Sequence, residues 1–203
     1  MNDRAGHWDE VYATKSDTSV SWFEDSPRLS MELILAATPA RRAAIDVGGG
    51  ASRLPDALLD AGFAHVASLD LSEAAFAVAQ ARLGTRASLV DWIVADVTRW
   101  KPQRQYDVWH DRAALHFLTD AEDQACYART LNLALPSGGA AVIGTFAPDG
   151  PERCSGLPVI RHDSKSLADL FGPGFELLSE LRHDHVTPGG AVQKFQFSTF
   201  RKR

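Results

Sequence analysis

The run Ile45-Asp46-Val47-Gly48-Gly49-Gly50 constrains this chain more than any other stretch, because an apolar segment ends there in an acidic residue and three glycines, and a helix-like segment follows. Residues 42–47 have the composition of a strand buried in a parallel sheet. Glycine lets the backbone turn sharply into a helix over residues 54–61 while laying its amides against a ligand, so the turn reads as a nucleotide-cofactor cradle. A second apolar run, residues 65–69, closes on Asp70, 20 positions after Gly50. At that separation a carboxylate can take ribose hydroxyls.

The dinucleotide fingerprint requires a third glycine where the helix presents its first amides to a pyrophosphate. Here that position is Arg53, or Leu54 in the neighbouring register, so neither completes Gly-x-Gly-x-x-Gly. Two further apolar runs end in aspartates: residues 90–95 at Asp96 and residues 106–110 at Asp111. A single aspartate there is as readily a helix N-cap as a ligand group. Four in register are different, because the carboxyl ends of parallel strands open on one crevice.

The Asp46-x-Gly48-x-Gly50 arrangement, with these later strand ends in order, resembles motif I and its successors in class I S-adenosylmethionine-dependent methyltransferases. The resemblance covers roughly residues 42 to 200. It implies that Asp46, Gly48, Gly49 and Gly50 hold the methionine portion of S-adenosyl-L-methionine. It also implies that Asp70 with Leu71 takes the ribose, that Asp96 with Val97 takes the adenine, and that Asp111 lies on the active-site floor.

From residue 42 onward, strand and helix alternate, as in a parallel sheet with helices on both faces. Ser72 reads as the cap of a helix ending near Gly84, Thr119 with Glu122 as a capping box, and Ser26-Pro27 as the start of a helix through about Ala37. After a strand at residues 140–146 and a helix at 164–171, two extended runs are joined by Thr187-Pro188-Gly189-Gly190, too short a link for a crossover. The expected fold is therefore an α/β Rossmann-like three-layer sandwich: a seven-stranded, mostly parallel sheet finished by a C-terminal antiparallel hairpin. At 203 residues and 45% hydrophobic content, we expect one methyltransferase domain over residues 1–203. Residues 1–40 would form an N-terminal aromatic cap segment and helix, and residues 41–203 the Rossmann-like core.

Methyl transfer from a sulfonium is an in-line displacement with an activated donor, so positioning and exclusion of water supply most of the catalysis. A base is needed only for an acceptor that arrives protonated. Candidates near the fourth strand end are His110, Asp111 and His116, although strand parity sends only one of His110 and Asp111 to a given face. His116 is equally at home as a histidine hydrogen-bonded within a loop. Arg112 could face the acceptor, and Cys154 could line its pocket or be a plain loop thiol.

Trp8, Tyr12 and Trp22 suit a lid, since an indole face attracts a sulfonium, though packing of an N-terminal helix explains them equally well. The stretches His7-Trp8-Asp9-Glu10-Val11-Tyr12 and Ser21-Trp22-Phe23 are similar to the openings of the citrate synthase lysine methyltransferase and thiopurine methyltransferase-like groups. That similarity implies Trp22 at the cofactor and Trp8 and Tyr12 at the acceptor. Asp111-Arg112-Ala113-Ala114-Leu115-His116 only partly matches the Asp-Lys-Gly-x-x-Asp pattern of the lysine methyltransferases, with His116 in place of an acidic residue.

The chain lacks the Asn/Asp-Pro-Pro-Tyr/Phe motif of enzymes that methylate adenine amines and the Pro-Cys of cytosine carbon-5 methylation. A net charge of −5 argues against a nucleic-acid partner. His183 and His185 alternate on one strand without a third ligand, so no metal is expected. No run approaches the roughly 20 apolar residues of a membrane span, and two cysteines make no disulfide framework. We therefore expect a cytoplasmic monomer or homodimer acting on a small-molecule or protein acceptor. The alternatives are a nicotinamide-dependent oxidoreductase on the same sheet and a non-catalytic S-adenosylmethionine-binding subunit.

Overall fold

The computed structural model describes residues 4–203. Five parallel strands form its centre: β1 (Ala43–Val47), β2 (His65–Asp70), β3 (Val90–Val94), β4 (Val108–Arg112) and β5 (Ala140–Phe146). A short ribbon of β6 (Arg153–Cys154) and β7 (Leu157–Pro158) follows. The long hairpin of β8 (Phe175–Val186) and β9 (Val192–Lys202) then joins the main sheet antiparallel to β5. The sheet order is β3-β2-β1-β4-β5-β9-β8. It reverses direction between β1 and β4, which opens a crevice at the carboxyl ends of the two strands.

Residue parity divides the core. Ala43, Ile45 and Val47 of β1, with Trp109 of β4, pack on the face covered by α5 (Ala121–Ala134) and α6 (Ser164–Phe171). Ala44 and Val108 pack on the opposite face against Ile34 of α2 (Arg28–Ala37), Leu54 and Leu58 of α3 (Leu54–Asp60), and Leu83 of α4 (Glu73–Leu83). Strands covered on both sides read as nearly continuous apolar runs, hence the burial of all five residues of β1. A further helix, α1 (Arg4–Thr14), buries only Val11 fully and lies outside these layers.

Several local expectations need revision. Asp120, not Thr119, precedes α5 and makes no side-chain cap bond. Glu122 and Asp123 in the first turn favour the helix through its dipole instead. Pro27, not Ser26, occupies the cap position of α2. The capping box that does form joins Asp163 and Ser166 at the start of α6. Ser72 caps α4, accepting from the Ala75 amide at 3.1 Å. Among the described residues, no helix is long and apolar enough to cross a membrane.

Candidate functional site

The turn after β1 is built by close approach. Gly48 and Gly50 have φ of +68° and +48°. A Cβ on Gly48 would lie 2.4 Å from that of Ala114, and one on Gly49 would lie 2.2 Å from the Ser68 hydroxyl. The amides of Gly48 and Gly49 are already engaged, donating to the Leu69 carbonyl at 2.7 and 3.2 Å. The expectation that glycine amides face a ligand therefore fails for these two. The glycines let β1, β2 and the loop after β4 converge, and the crevice is the space they leave.

Along that crevice, Asp96, Asp70 and Gly48 line one cavity, and Leu71 and Val97 are among its apolar walls. Asp96 Oδ1 accepts from the Thr98 amide and hydroxyl at 2.9 and 2.7 Å, and Oδ2 has no partner among the described residues. Asp70 Oδ1 accepts from the Ser72 amide at 2.8 Å. Burial pushes the Asp70 carboxyl up to about 6, against the pull of amides from Ser72, Gly50 and Leu71.

Helix α1 covers this cavity with Arg4, Trp8 and Tyr12. It is held at its first residue by Arg4 on Asp123 of α5 at 2.6 Å and at its middle by Asp9, which accepts from the Ser72 hydroxyl at 2.7 Å. Trp8 packs edge-on against Phe117 and Trp22, with ring centroids 4.9 and 5.7 Å away. The Trp22 indole N–H donates to the Tyr12 hydroxyl at 3.2 Å. Burial and the nearby Asp70 push that phenol up to about 12, so it stays protonated.

A second cavity meets the first at Tyr12, Trp22, Gly48 and Arg112. Its floor is polar. His110 Nδ1 lies 2.7 Å from Asp46 Oδ1, and its Nε2 lies 2.9 Å from the Ser30 hydroxyl of α2. Asp46 Oδ2 is buried without a partner. Arg112 shares this face, its Nη1 donating to the Trp22 carbonyl at 2.9 Å and its Nη2 lying 3.1 Å from Glu24. Its guanidinium sits over the Phe195 ring, 5.2 Å from the centroid. Burial lowers its pKa and the Glu24 carboxylate raises it.

Asp111 and His116 are absent from both cavities. Strand parity turns Asp111 to the other face of the sheet, where it accepts from the Tyr127 hydroxyl at 2.6 Å and from the amides of Ala114 and Leu115. Asp111 thus clamps the loop in which Ala113 takes a φ of +72°. Burial raises its carboxyl to about 6. His116 is fully buried between Phe117 and Phe146, accepts weakly from the Phe146 amide at 3.4 Å, and is pushed down to about 3 by burial. It is a neutral core histidine, not a base at the crevice. Cys154 lines the first cavity, and burial pushes its thiol up to about 11. Reading the sequence missed Asp9, Ser30 and Glu24; each meets its partner only through tertiary packing, and no local pattern marks them. Among the described residues, no group of three His, Cys, Asp or Glu side chains could hold a metal ion.

The strand order and the acidic strand ends around the glycine turn define the class I methyltransferase fold. A family model described as a methyltransferase domain matches residues 44–139, the part of the chain that carries β1 to β4 and the glycine turn. Residues 44–139 thus match a methyltransferase domain, and the chain as a whole has the class I methyltransferase fold.

Solved structures of low identity share the fold. A protein from work on the conversion of a disulfide bond into a thioacetal group during echinomycin biosynthesis is 23% identical, with a TM-score of 0.76 over 98% of this chain and 92% of its own. An S-adenosylmethionine-dependent methyltransferase from Anabaena variabilis is 14% identical, with a TM-score of 0.74 over 100% of this chain and 96% of its own. The N-methyltransferase NodS from Bradyrhizobium japonicum, solved with S-adenosyl-L-homocysteine, is 14% identical, with a TM-score of 0.73 over 98% of this chain and 99% of its own. Comparison with curated proteins gives no match.

Proposed function

We propose that this chain transfers the methyl group of S-adenosyl-L-methionine to an acceptor by in-line displacement. The observation that carries the reading is the order of groups along the crevice. A carboxylate oxygen of Asp96 without a protein partner comes first, then Asp70, then the glycine turn, with the aromatic face of α1 above them. Asp96 beside Val97 would accept from the exocyclic amine of adenine, and Asp70 with Leu71 would take the ribose hydroxyls. Beyond the turn, the buried and unpartnered Asp46 Oδ2 suits the ammonium of an amino-acid tail. NodS, solved with S-adenosyl-L-homocysteine, supports the cofactor assignment by its shared fold.

When bound, S-adenosyl-L-methionine would supply a methyl group already activated by its sulfonium, and the sulfur would leave as a neutral thioether. The protein's own groups orient the donor and exclude water: Trp8 and Trp22 cover the cavity and present aromatic faces to a cation. Tyr12 ties the cap to the glycine turn, its hydroxyl packed over Gly50 and accepting from the Trp22 indole. We read the chain as one domain in which α1 caps the crevice and α2 packs against the core 41–203. The free thiols Cys126 and Cys154 accord with a reducing cytoplasm.

Thermal denaturation with S-adenosyl-L-homocysteine and with NADH tests the cofactor, because a ligand that binds the native state raises the midpoint. We expect stabilisation by the former alone; the reverse would favour an oxidoreductase. Labelled-methyl transfer to metabolites and protein lysate tests catalysis, and binding without turnover to either would make the chain a non-catalytic binding subunit.

A further inference from the structure

Arg112 is the one arginine that lines both cavities. Its side chain is 12% exposed and one donor is taken by the Trp22 carbonyl. Nε and Nη2, which share the opposite edge of the guanidinium, are buried and make no hydrogen bond among the described residues. Glu24 stands 3.1 Å from Nη2, close enough to neutralise it but not aligned to accept from it. A buried planar edge with two unmet parallel donors is complementary to the two oxygens of a carboxylate.

Position assigns that edge to the acceptor. Across the sheet the adenosine groups lie at the ends of β3 and β2, the glycine turn at β1, Arg112 at β4 and Cys154 beyond β5. The reactive methyl group must therefore point from the turn toward Arg112 and Cys154.

We propose, building on the methyltransferase reading, that the acceptor is a small organic acid whose carboxylate is anchored by the Nε–Nη2 edge of Arg112. The acceptor enters between Trp22 and Cys154. Arg112 selects it by charge and by the planar fork, and Glu24 balances the guanidinium while the site is empty.

The test pairs binding with turnover. S-adenosyl-L-homocysteine affinity is measured by calorimetry, and labelled-methyl transfer is screened on mono-, di- and tricarboxylic acids, their carboxamides, and primary amines including a lysine peptide. Wild-type protein should methylate acids and turn over the matching carboxamides about 100-fold less efficiently. Arg112→Gln should abolish that discrimination, chiefly through KM, with S-adenosyl-L-homocysteine affinity within about twofold of wild type. Arg112→Lys, which keeps the charge without the fork, should retain part of it and serves if the glutamine variant does not fold.

Preferred methylation of amines would overturn the proposal, as would an Arg112→Gln variant whose homocysteine-ligand affinity falls as far as its turnover, since Arg112 would then hold the cofactor. Binding of S-adenosyl-L-homocysteine without methylation of any acid overturns the acceptor assignment alone. No binding at all overturns the methyltransferase reading and this proposal together.

Discussion

His110 Nδ1 lies 2.7 Å from Asp46 Oδ1, between residues that are register partners on adjacent parallel strands. A carboxylate only accepts, so Nδ1 carries a proton, and Nε2 pairs with the Ser30 hydroxyl at 2.9 Å. The chain Ser30–His110–Asp46 thus fixes one carboxylate oxygen and leaves Oδ2 free beside the glycine turn. We assign His110 a positioning role. His110→Leu strips Asp46 of its hydrogen-bonding side-chain partner and should destabilise the fold by about 1–3 kcal/mol, the penalty of a buried unmet polar group. S-adenosyl-L-homocysteine should bind more weakly to the folded variant. His110→Asn, whose amide can donate near the Nδ1 position, should recover part of both losses. Chemical denaturation and calorimetry measure the two effects, and equal losses in both variants would refute the positioning role.

Gly48 and Ala114 meet at the same point from two strands. Gly48→Ala carries two penalties: a Cβ 2.4 Å from that of Ala114, and a side chain at φ +68°. The left-handed conformation alone is worth about 1–2 kcal/mol. Adding Ala114→Gly relieves the contact but not the backbone strain. The double variant should therefore regain stability over Gly48→Ala while staying about 1–2 kcal/mol below Ala114→Gly alone. Additive losses in a double-mutant cycle would show that the close approach is not what requires glycine.

Burial holds the Asp70 carboxyl at about 6, above its ordinary 3.8. The folded chain therefore keeps a proton that the unfolded chain releases, and the Asp70 contribution to stability falls as pH rises from about 4 to about 6. Ligand binding runs the other way. Accepting two ribose hydroxyls requires the ionised form, so S-adenosyl-L-homocysteine affinity should fall by up to about tenfold per pH unit below 6 and level off above it. Asp70→Asn should flatten that dependence and, at pH 8, weaken binding by about 1–3 kcal/mol. Calorimetry across the pH range decides it, and an unaltered slope in the variant would place the titrating group elsewhere.

What the sequence made legible follows from local constraints. Apolar runs ending in aspartates mark the sheet edges because strands buried on both faces leave little room for polar residues until they end. The hairpin of β8 and β9 is legible because Thr187-Pro188-Gly189-Gly190 is too short to cross over. The faces were not legible. Parity separates His110 from Asp111, but which face meets the crevice depends on α2 packing over one and α5 over the other. Asp111 therefore read as a floor residue although it clamps a loop from the far side. The amides of Gly48 and Gly49 look free in one dimension because their acceptor, the Leu69 carbonyl, arrives from the next strand.

Asp9 joins the cap to the start of α4, at the Ser72 hydroxyl and more weakly at the Ala74 amide. Its Oδ1 accepts from Ser72 Oγ at 2.7 Å, and the same oxygen of Ser72 accepts from the Ala75 amide and caps α4. Asp9→Ala leaves that cap in place, so global stability should change by less than about 1 kcal/mol. The effect should appear in the opening of α1, whose other tie, Arg4 to Asp123, is partly exposed and weak for that reason. We expect Asp9→Ala to speed S-adenosyl-L-homocysteine dissociation several-fold, and Asp9→Ala with Arg4→Ala to speed it further, with little change in association. Stopped-flow fluorescence of Trp8 and Trp22 reports both rates. Unchanged dissociation in the double variant would mean that the contacts of Trp8 with Phe117 and Trp22 hold the helix without help from its two charged ties.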